Sequence, residues 1–569
     1  VAAASKKRFL QLHALFRNGE LEAADKALSA ALLATPKEPN LLHLAAQVAE
    51  AQGELPRAAQ LFRRAIAAHP DWMEAEYNLA RVLASQNKYA EAIALMMKVS
   101  YAHPDLPPIW EALAKFQQQA GDLASALAHW QKALALAPER HDWRAQYVLL
   151  LRQMCDWRKE DFDIEKLPPQ AVIVLSDDPA TQMQSAIRYS KQRFGSLKPT
   201  LVFPAKGKTA RIRLGYLSSD FRAHATAFLM AELFGLHDRT KFDVFAYSYG
   251  VDDHSAIRER IKEQAGHFVE LNKLSAAQAA ARIREDNIDI LIDLKGHTRG
   301  ARLDILAHRP APLQVHWLGY PGTLGTDFID FFIGDRIAIP DGQTSFFTEK
   351  IIRLPHCYQI NDRQRTIGQP KPRAAYGLPE NTLVLASFNQ TYKITPEIFA
   401  LWCEILLALP EAVLWLYQSN TVAPDNLRHF AAEHGIDPAR LIFAVPLPHS
   451  EHLARYAHVD LAIDTFPVGG HTTTSDALWA GAPVVTMVGQ SFVSRVASSI
   501  LAAAELPQLV AATPENYKKL ILELARNKTA QDDLRRHLKD KRLSFPLFDT
   551  PRFVRDLETA LIEKWKERV

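Results

Sequence analysis

The chain has 569 residues, 48% hydrophobic and 23% charged, with a net charge of +3. That length exceeds one core and predicts about three to five domains of roughly 100–200 residues, while so small a net charge argues against nucleic acid, which would want a basic stripe on one element. Three cysteines in no CxxC pattern, a polar Val1–Arg8 and the lack of any uncharged apolar run of about 18 residues exclude a disulfide framework, a signal peptide and a membrane span, so a reducing cytoplasm is expected.

The first third repeats. Pro36, Pro70, Pro104 and Pro138 are 34 residues apart, and the same step links Gly19, Gly53, Asn87 and Gly121, then Ala24, Ala58, Ala92 and Ala126, then Leu28, Phe62, Met96 and Trp130. These positions describe a helix-turn-helix unit. A left-handed-tolerant residue makes the turn, alanine lets two helices approach, a large side chain fills the next groove, and proline follows the second helix. The pattern resembles the tetratricopeptide repeat over residues 1–155, with a capping helix from His141 to Cys155. Such solenoids offer a concave face, usually to polypeptide, and do no chemistry of their own.

A Pro-containing connector, residues 156–208, is expected to hold a helix near Thr181–Phe194. Its Asp161-Phe162-Asp163 follows no strand and reads as solvated surface. Next come short apolar runs alternating with helical stretches, in two sets assigned to residues 209–375 and 376–569. The first set is Ile212–Leu217, Val244–Tyr247, Phe268–Glu270, Ile288–Asp293 and Gln314–Trp317; the second is Leu383–Ser387, Val413–Tyr417, Leu441–Ala444, Leu461–Asp464 and Val484–Met487. Strand-helix-strand alternation predicts two parallel sheets in Rossmann-like halves facing a cleft. Ligands bind beyond the C-terminal strand ends of such sheets.

Those ends carry the polar residues. In the first half they read Ser218–His224, Asp293–Gly300 and His316–Thr323. In the second, the first strand runs into Gln390 and Lys393, and the third into Leu447, His449, His452 and Arg455, the last two on one face of a short helix. The fourth runs into Gly469-Gly470-His471-Thr472-Thr473-Thr474-Ser475-Asp476. Bare glycines, helix-start amides and hydroxyls make a diphosphate grip that needs no metal, and Asp476, four residues after Thr472, is placed to take ribose hydroxyls. Zinc on His449 and His452 is disfavoured, because no cysteine or carboxylate completes the pair.

The stretches "SSDFRAH", "KGHTRGARLDILAHRPAPLQVHWLGYPGT", "SFNQTYKITPE" and "GGHTTTSDALWAGAPVVTM", behind a tetratricopeptide array, resemble the O-linked N-acetylglucosamine transferases and their SPINDLY-type relatives, in a bacterial form. The resemblance covers nearly all of the chain. It implies an α-helical solenoid followed by a GT-B fold of two Rossmann-like domains, and inverting, metal-independent transfer of N-acetylglucosamine from UDP-GlcNAc to protein serine or threonine, with no cofactor. It further implies that Lys393 and Gln390 hold the diphosphate, that His471, Thr472 and Thr473 bind phosphates, and that Asp476 binds ribose. Leu447, His449, His452 and Arg455 would bracket the base, Leu318, Gly319 and Pro321 would line the sugar pocket, and His224 would be the catalytic base.

A base within hydrogen-bond reach of a hydroxyl is worth typically 10²–10⁴-fold. His224 could instead orient the sugar, its alternative role. Two other functions stay open: a protein O-fucosyltransferase using GDP-fucose, and a peptide-binding scaffold with an inactive sugar site. A UDP-sugar and a polypeptide acceptor are the expected partners, with no nucleic acid or membrane. The solenoid's outer faces leave a homodimer open.

Overall fold

A computed structural model describes residues 2–197, 199 and 211–568. Residues 198 and 200–208 of the connector, and 209 and 210 at the start of the first α/β half, lie outside the described residues. The chain divides into two compact units, Val1–Leu150 and Leu151–Val569.

Among the described residues of the first unit, helices pair as Ala2–Arg17 with Leu21–Ala34, Pro39–Ala51 with Leu55–Ala68, Met73–Ser85 with Tyr89–Ala102, and Pro107–Ala120 with Leu123–Leu136. Each repeated position has its physical role. Gly19, Gly53, Asn87 and Gly121 turn the chain at φ 78°, 80°, 61° and 88°. At Gly53 and Gly121 an added Cβ would meet open space, so the left-handed backbone rather than crowding selects glycine. The four alanines and Leu28, Phe62, Met96 and Trp130 are fully buried. Each proline sits two residues beyond its helix.

The second unit contains two parallel sheets. The first, in the order β3-β2-β1-β4-β5-β6-β7, is built from β1 (Ile212–Ser218), β2 (Phe242–Ser248), β3 (His267–Glu270), β4 (Ile290–Asp293), β5 (Leu313–His316), β6 (Phe331–Asp335) and β7 (Lys350–Leu354). The second, in the order β10-β9-β8-β11-β12-β13, is built from β8 (Leu383–Ser387), β9 (Ala412–Tyr417), β10 (Leu441–Ala444), β11 (Leu461–Ile463), β12 (Val484–Met487) and β13 (Val510–Ala511). Every pairing is parallel, and buried, near-continuous apolar strands follow from helices on both faces. β6, β7 and β13 extend the sheets beyond the sequence expectation.

In both sheets the strand order reverses at one place, between β1 and β4 and between β8 and β11. There neighbouring connections leave toward opposite faces and open a crevice.

The range 376–569 ends in an element that reaches the first half. Its last helix, Thr550–Lys566, packs on β7 and on the helix Ala225–Leu236 of the first half. There Glu558 accepts hydrogen bonds from His237 Nδ1 and the Asp238 amide, both at 2.8 Å, and Tyr216 OH lies 2.9 Å from His237 Nε2. The connector is likewise fastened to both halves. Its helices Pro169–Leu175 and Pro179–Phe194 meet the first through Ser190 Oγ donating to Leu324 O at 2.7 Å and Tyr320 OH donating to Pro169 O at 3.2 Å. Between them Asp177 accepts from the amides of Gln490 and Ser491 and the hydroxyls of Ser491 and Ser494, at 2.8, 3.0, 2.6 and 2.5 Å. Asp161 and Asp163 are exposed, and Asp163 accepts from the Glu165 amide.

Candidate active site

The two switch points face one cleft of about 640 Å³. β8 runs into Asn389 and a short turn, Thr391–Lys393, whose lysine is half-buried and donates at 2.8 Å to Gly469 O. Burial pulls the Lys393 ammonium down to about 8, against the opposing charge of Asp464.

β11 ends in Asp464, which sequence reasoning passed over as a strand terminus. Its buried carboxylate accepts from the amides of Thr465 and Gly470, Asn389 Nδ2 and Thr486 Oγ1, at 2.9, 2.7, 3.0 and 2.7 Å. Burial raises its pKa, and the bond from Thr486 with the charge of Lys393 opposes that rise. Asp464 therefore ties the glycine loop to β8 and β12. The loop uses Gly470 differently from the expected ligand approach: a Cβ there would lie 2.3 Å from Thr474 Oγ1, and the amide already serves Asp464.

The helix Thr472–Trp479 starts after His471, and no side chain caps it. The hydroxyls that could cap it are engaged elsewhere, Thr473 Oγ1 donating to Asn389 Oδ1 and Thr474 Oγ1 to Gly470 O, both at 2.9 Å. Its N-terminus thus stays open where His471, Thr472 and Thr473 line the cleft. Burial, helped by Lys393, pushes the His471 pKa down to about 3, so the ring adds a neutral polar edge and no charge.

The base-side residues differ in exposure to the cleft. Gln390, Leu447, His449, His452 and Asp476 line it; Arg455 does not. Arg455 is fully buried, donates to Val445 O at 3.0 Å and lies 5.6 Å from the Phe388 ring centroid. The expected shared helix face breaks because the α-helix His449–Ala454 passes into a 3-10 turn at Arg455. Burial takes His452 down to about 4.

Asp476 has protein partners that its expected ribose role did not include: Arg365 at 2.7 Å and His449 at 3.3 Å, one on each carboxylate oxygen. Burial alone would raise its pKa; the His449 bond and Arg365 charge hold it below the usual range. His449 also stacks across the cleft on Phe228 of the first half, with ring centroids 4.7 Å apart at 14°.

In the first half, Gly319 and Pro321 line the cleft with Tyr320, His297, Thr298 and Arg299. Leu318 does not. It holds φ 70° and packs against the hydrophobic core. Gly319 is fixed by close approach, since a Cβ would stand 2.0 Å from Leu294 O. His297 bonds Leu324 O at 2.9 Å, and burial lowers its pKa to about 4. His224 precedes the helix Ala225–Leu236 and lies beside the lining residue Ala225 without being part of the lining. Its Nδ1 accepts the Thr226 N–H at 3.2 Å. Burial lowers its pKa, with Asp220 opposing and Lys295 and Arg222 reinforcing.

Sequence reasoning missed Asp464, Asn389, Arg365 and Phe228, and the third wall formed by Gln170, Ile173 and Val174 from the connector. Pro168-Pro169 at a helix start was the available signal for that wall.

Comparison with known proteins now bears on this geometry. The description "Glycosyl transferase family 41" matches residues 196–371 and 369–557, and tetratricopeptide repeats match 9–71 and 49–116. The chain belongs to glycosyl transferase family 41. Similar proteins include the Arabidopsis thaliana probable UDP-N-acetylglucosamine–peptide N-acetylglucosaminyltransferase SEC, 36% identical over 71% of this chain and 43% of that protein. The Caenorhabditis elegans UDP-N-acetylglucosamine–peptide N-acetylglucosaminyltransferase is 30% identical, over 63% of this chain and 41% of its own. An Arabidopsis thaliana protein named SPINDLY is 32% identical over 63% and 40%. The chain thus spans about two fifths of the length of these curated relatives. A solved lysine-to-methionine mutant of Thermobaculum terrenum O-GlcNAc transferase matches at TM-score 0.68 and 28% identity, covering 100% of this chain and 98% of that one. The family 41 match covers both α/β halves, and the tetratricopeptide matches lie within the solenoid. Among the described residues, no helix is long and apolar enough to cross a membrane.

Proposed function

We propose that this family 41 chain transfers N-acetylglucosamine from UDP-GlcNAc to serine or threonine hydroxyls of a polypeptide, with inversion and without a metal. The observation that carries the reading is the uncapped helix start at Thr472 beside Lys393, at a strand-order switch point and facing the cleft. The activities for which the SEC and C. elegans relatives are named support the donor and acceptor. The acceptor oxygen attacks the anomeric carbon as the bond from that carbon to the diphosphate oxygen breaks, and the electron pair leaves with the diphosphate. Lys393 and the helix-start amides of Thr472 and Thr473 meet that growing charge in a site already organised by Asp464. The charge on the leaving diphosphate is assigned to these donors.

His224 is assigned as a donor rather than the base. With Nδ1 accepting from Thr226, the neutral ring carries its proton on Nε2, leaving that N–H as the group it can donate. The hydroxyl proton then passes to water or a donor phosphate oxygen. The repeat unit is assigned to polypeptide capture.

Calorimetric titration with UDP and with GDP in EDTA, beside Lys393→Ala, tests the reading, followed by transfer of labelled sugar to peptide. UDP-selective binding that weakens in the variant is expected. GDP selectivity would replace the donor, and binding of neither would overturn the site.

A further inference from the structure

Beneath His224 lies a buried ion pair that none of the cleft contacts uses. Asp220, from the loop after β1, and Lys295, from the loop after β4, are 3% and 4% exposed, and Lys295 Nζ donates to Asp220 Oδ2 at 2.7 Å. The same Asp220 oxygen lies 3.5 Å from His224 Nδ1. A carboxylate this close to an imidazole ordinarily takes its Nδ1–H and stabilises the charged ring. Here Nδ1 is instead the acceptor for the Thr226 amide.

We infer that Lys295 is a positioning residue: by engaging Asp220 it keeps that carboxylate from capturing Nδ1, and so fixes His224 as the neutral Nε2–H tautomer. The inference rests on the transferase reading for its functional meaning, since that tautomer makes His224 a donor to substrate.

The groups facing the ring are few. Asp220 contributes one negative charge; Lys295 and Arg222 contribute two positive ones; the helix Ala225–Leu236 contributes the Thr226 N–H. Asp253 is committed to the Ala223 amide at 2.7 Å. Lys295 cannot readily drift, because the strand-end carboxylate of Asp293 accepts the amides of Lys295 and Gly296 at 3.2 and 2.7 Å. Removing the ammonium would leave Asp220 buried without its bonded countercharge, and His224 Nδ1, 3.5 Å from the same oxygen, is placed to supply one as imidazolium.

The test is nitrogen-15 NMR of the full chain labelled in histidine rings, with the His224 signals assigned by their loss in His224→Gln. In the unsubstituted protein His224 is expected to show protonated Nε2 and unprotonated Nδ1 at neutral pH. Lys295→Met should protonate Nδ1 and move the titration midpoint up by at least one pH unit, about tenfold in proton affinity. Asp220→Asn combined with Lys295→Met should restore the original tautomer. Should Lys295→Met fail to fold, Asp220→Asn alone decides: Nε2–H is expected to persist, and a switch to Nδ1–H overturns the inference. An unshifted titration in folded Lys295→Met overturns it equally. The spectra report the tautomer whether or not sugar is transferred, so loss of the transferase reading would show separately, as no peptide labelling with these titrations unchanged.

Discussion

At the scale of single residues, Lys393 supplies the positive charge beside the helix start and Arg299 the other from the first half, because the three lining histidines with depressed pKa values, His297, His452 and His471, stay neutral near pH 7. A diphosphate selects the ammonium form. UDP affinity is therefore expected to be flat below about pH 8 and to fall above it, approaching tenfold per pH unit, as the free lysine deprotonates. Lys393→Ala should weaken UDP by about 10–100-fold, the loss of one charge-assisted hydrogen bond, and flatten that pH dependence. Titrations between pH 6 and 10 check both. The position of Lys393, Gln390 and the threonines at the cleft was legible because strand ends announce it. Asp464 was not: a lone aspartate closing an apolar run gives no sign of four donors that converge only after folding. The left-handed backbone at Leu318 and the change from α to 3-10 winding at Arg455 were hidden for a related reason, since spacing fixes neither.

At the scale of elements, the solenoid followed from sequence because a repeat states its geometry four times. Its one exception to glycine in the turn, Asn87 at φ 61°, is a position where glycine should fit better. Asn87→Gly is expected to raise stability by up to about 1 kcal/mol, read as a small rise in the denaturant midpoint at unchanged slope. The glycine loop behaves oppositely. Gly470→Ala drives a methyl into Thr474 Oγ1, so UDP binding should drop sharply, and Gly470→Ala with Thr474→Ala should recover part of it. β6 and β7 escaped notice because a 3-10 turn, Asp341–Phe346, joins them where the alternating pattern calls for a helix. β13 has two residues, too short for any pattern.

At the scale of the molecule, the last helix returns to the first half through Glu558, which no local pattern could reveal across so long a separation. Glu558→Ala leaves the His237 ring and the Asp238 amide without their acceptor, and a loss of about 1–3 kcal/mol is expected by urea denaturation. Acid should act in the same direction. His297, His452 and His471 have folded values of about 4, 4 and 3 against an ordinary 6.5, so the unfolded chain takes up protons first. Their contribution is full above about pH 6.5 and declines as pH falls toward 4. Denaturation curves across that window check the slope, which should be shallower in His297→Phe.

The connector's attachment to both halves bears on turnover. A swing that widens the cleft must release the strap at one end or the other. On the transferase reading, the dwell time of spent nucleotide is expected to depend partly on Asp177, a carboxylate outside the cleft lining. Chemistry and release become separable by substitution: Asp177→Ala should hasten departure of a fluorescent nucleotide in stopped flow while sparing the bond-breaking step. That outcome would place the limit on turnover in the contacts between connector and halves, remote from the reacting atoms.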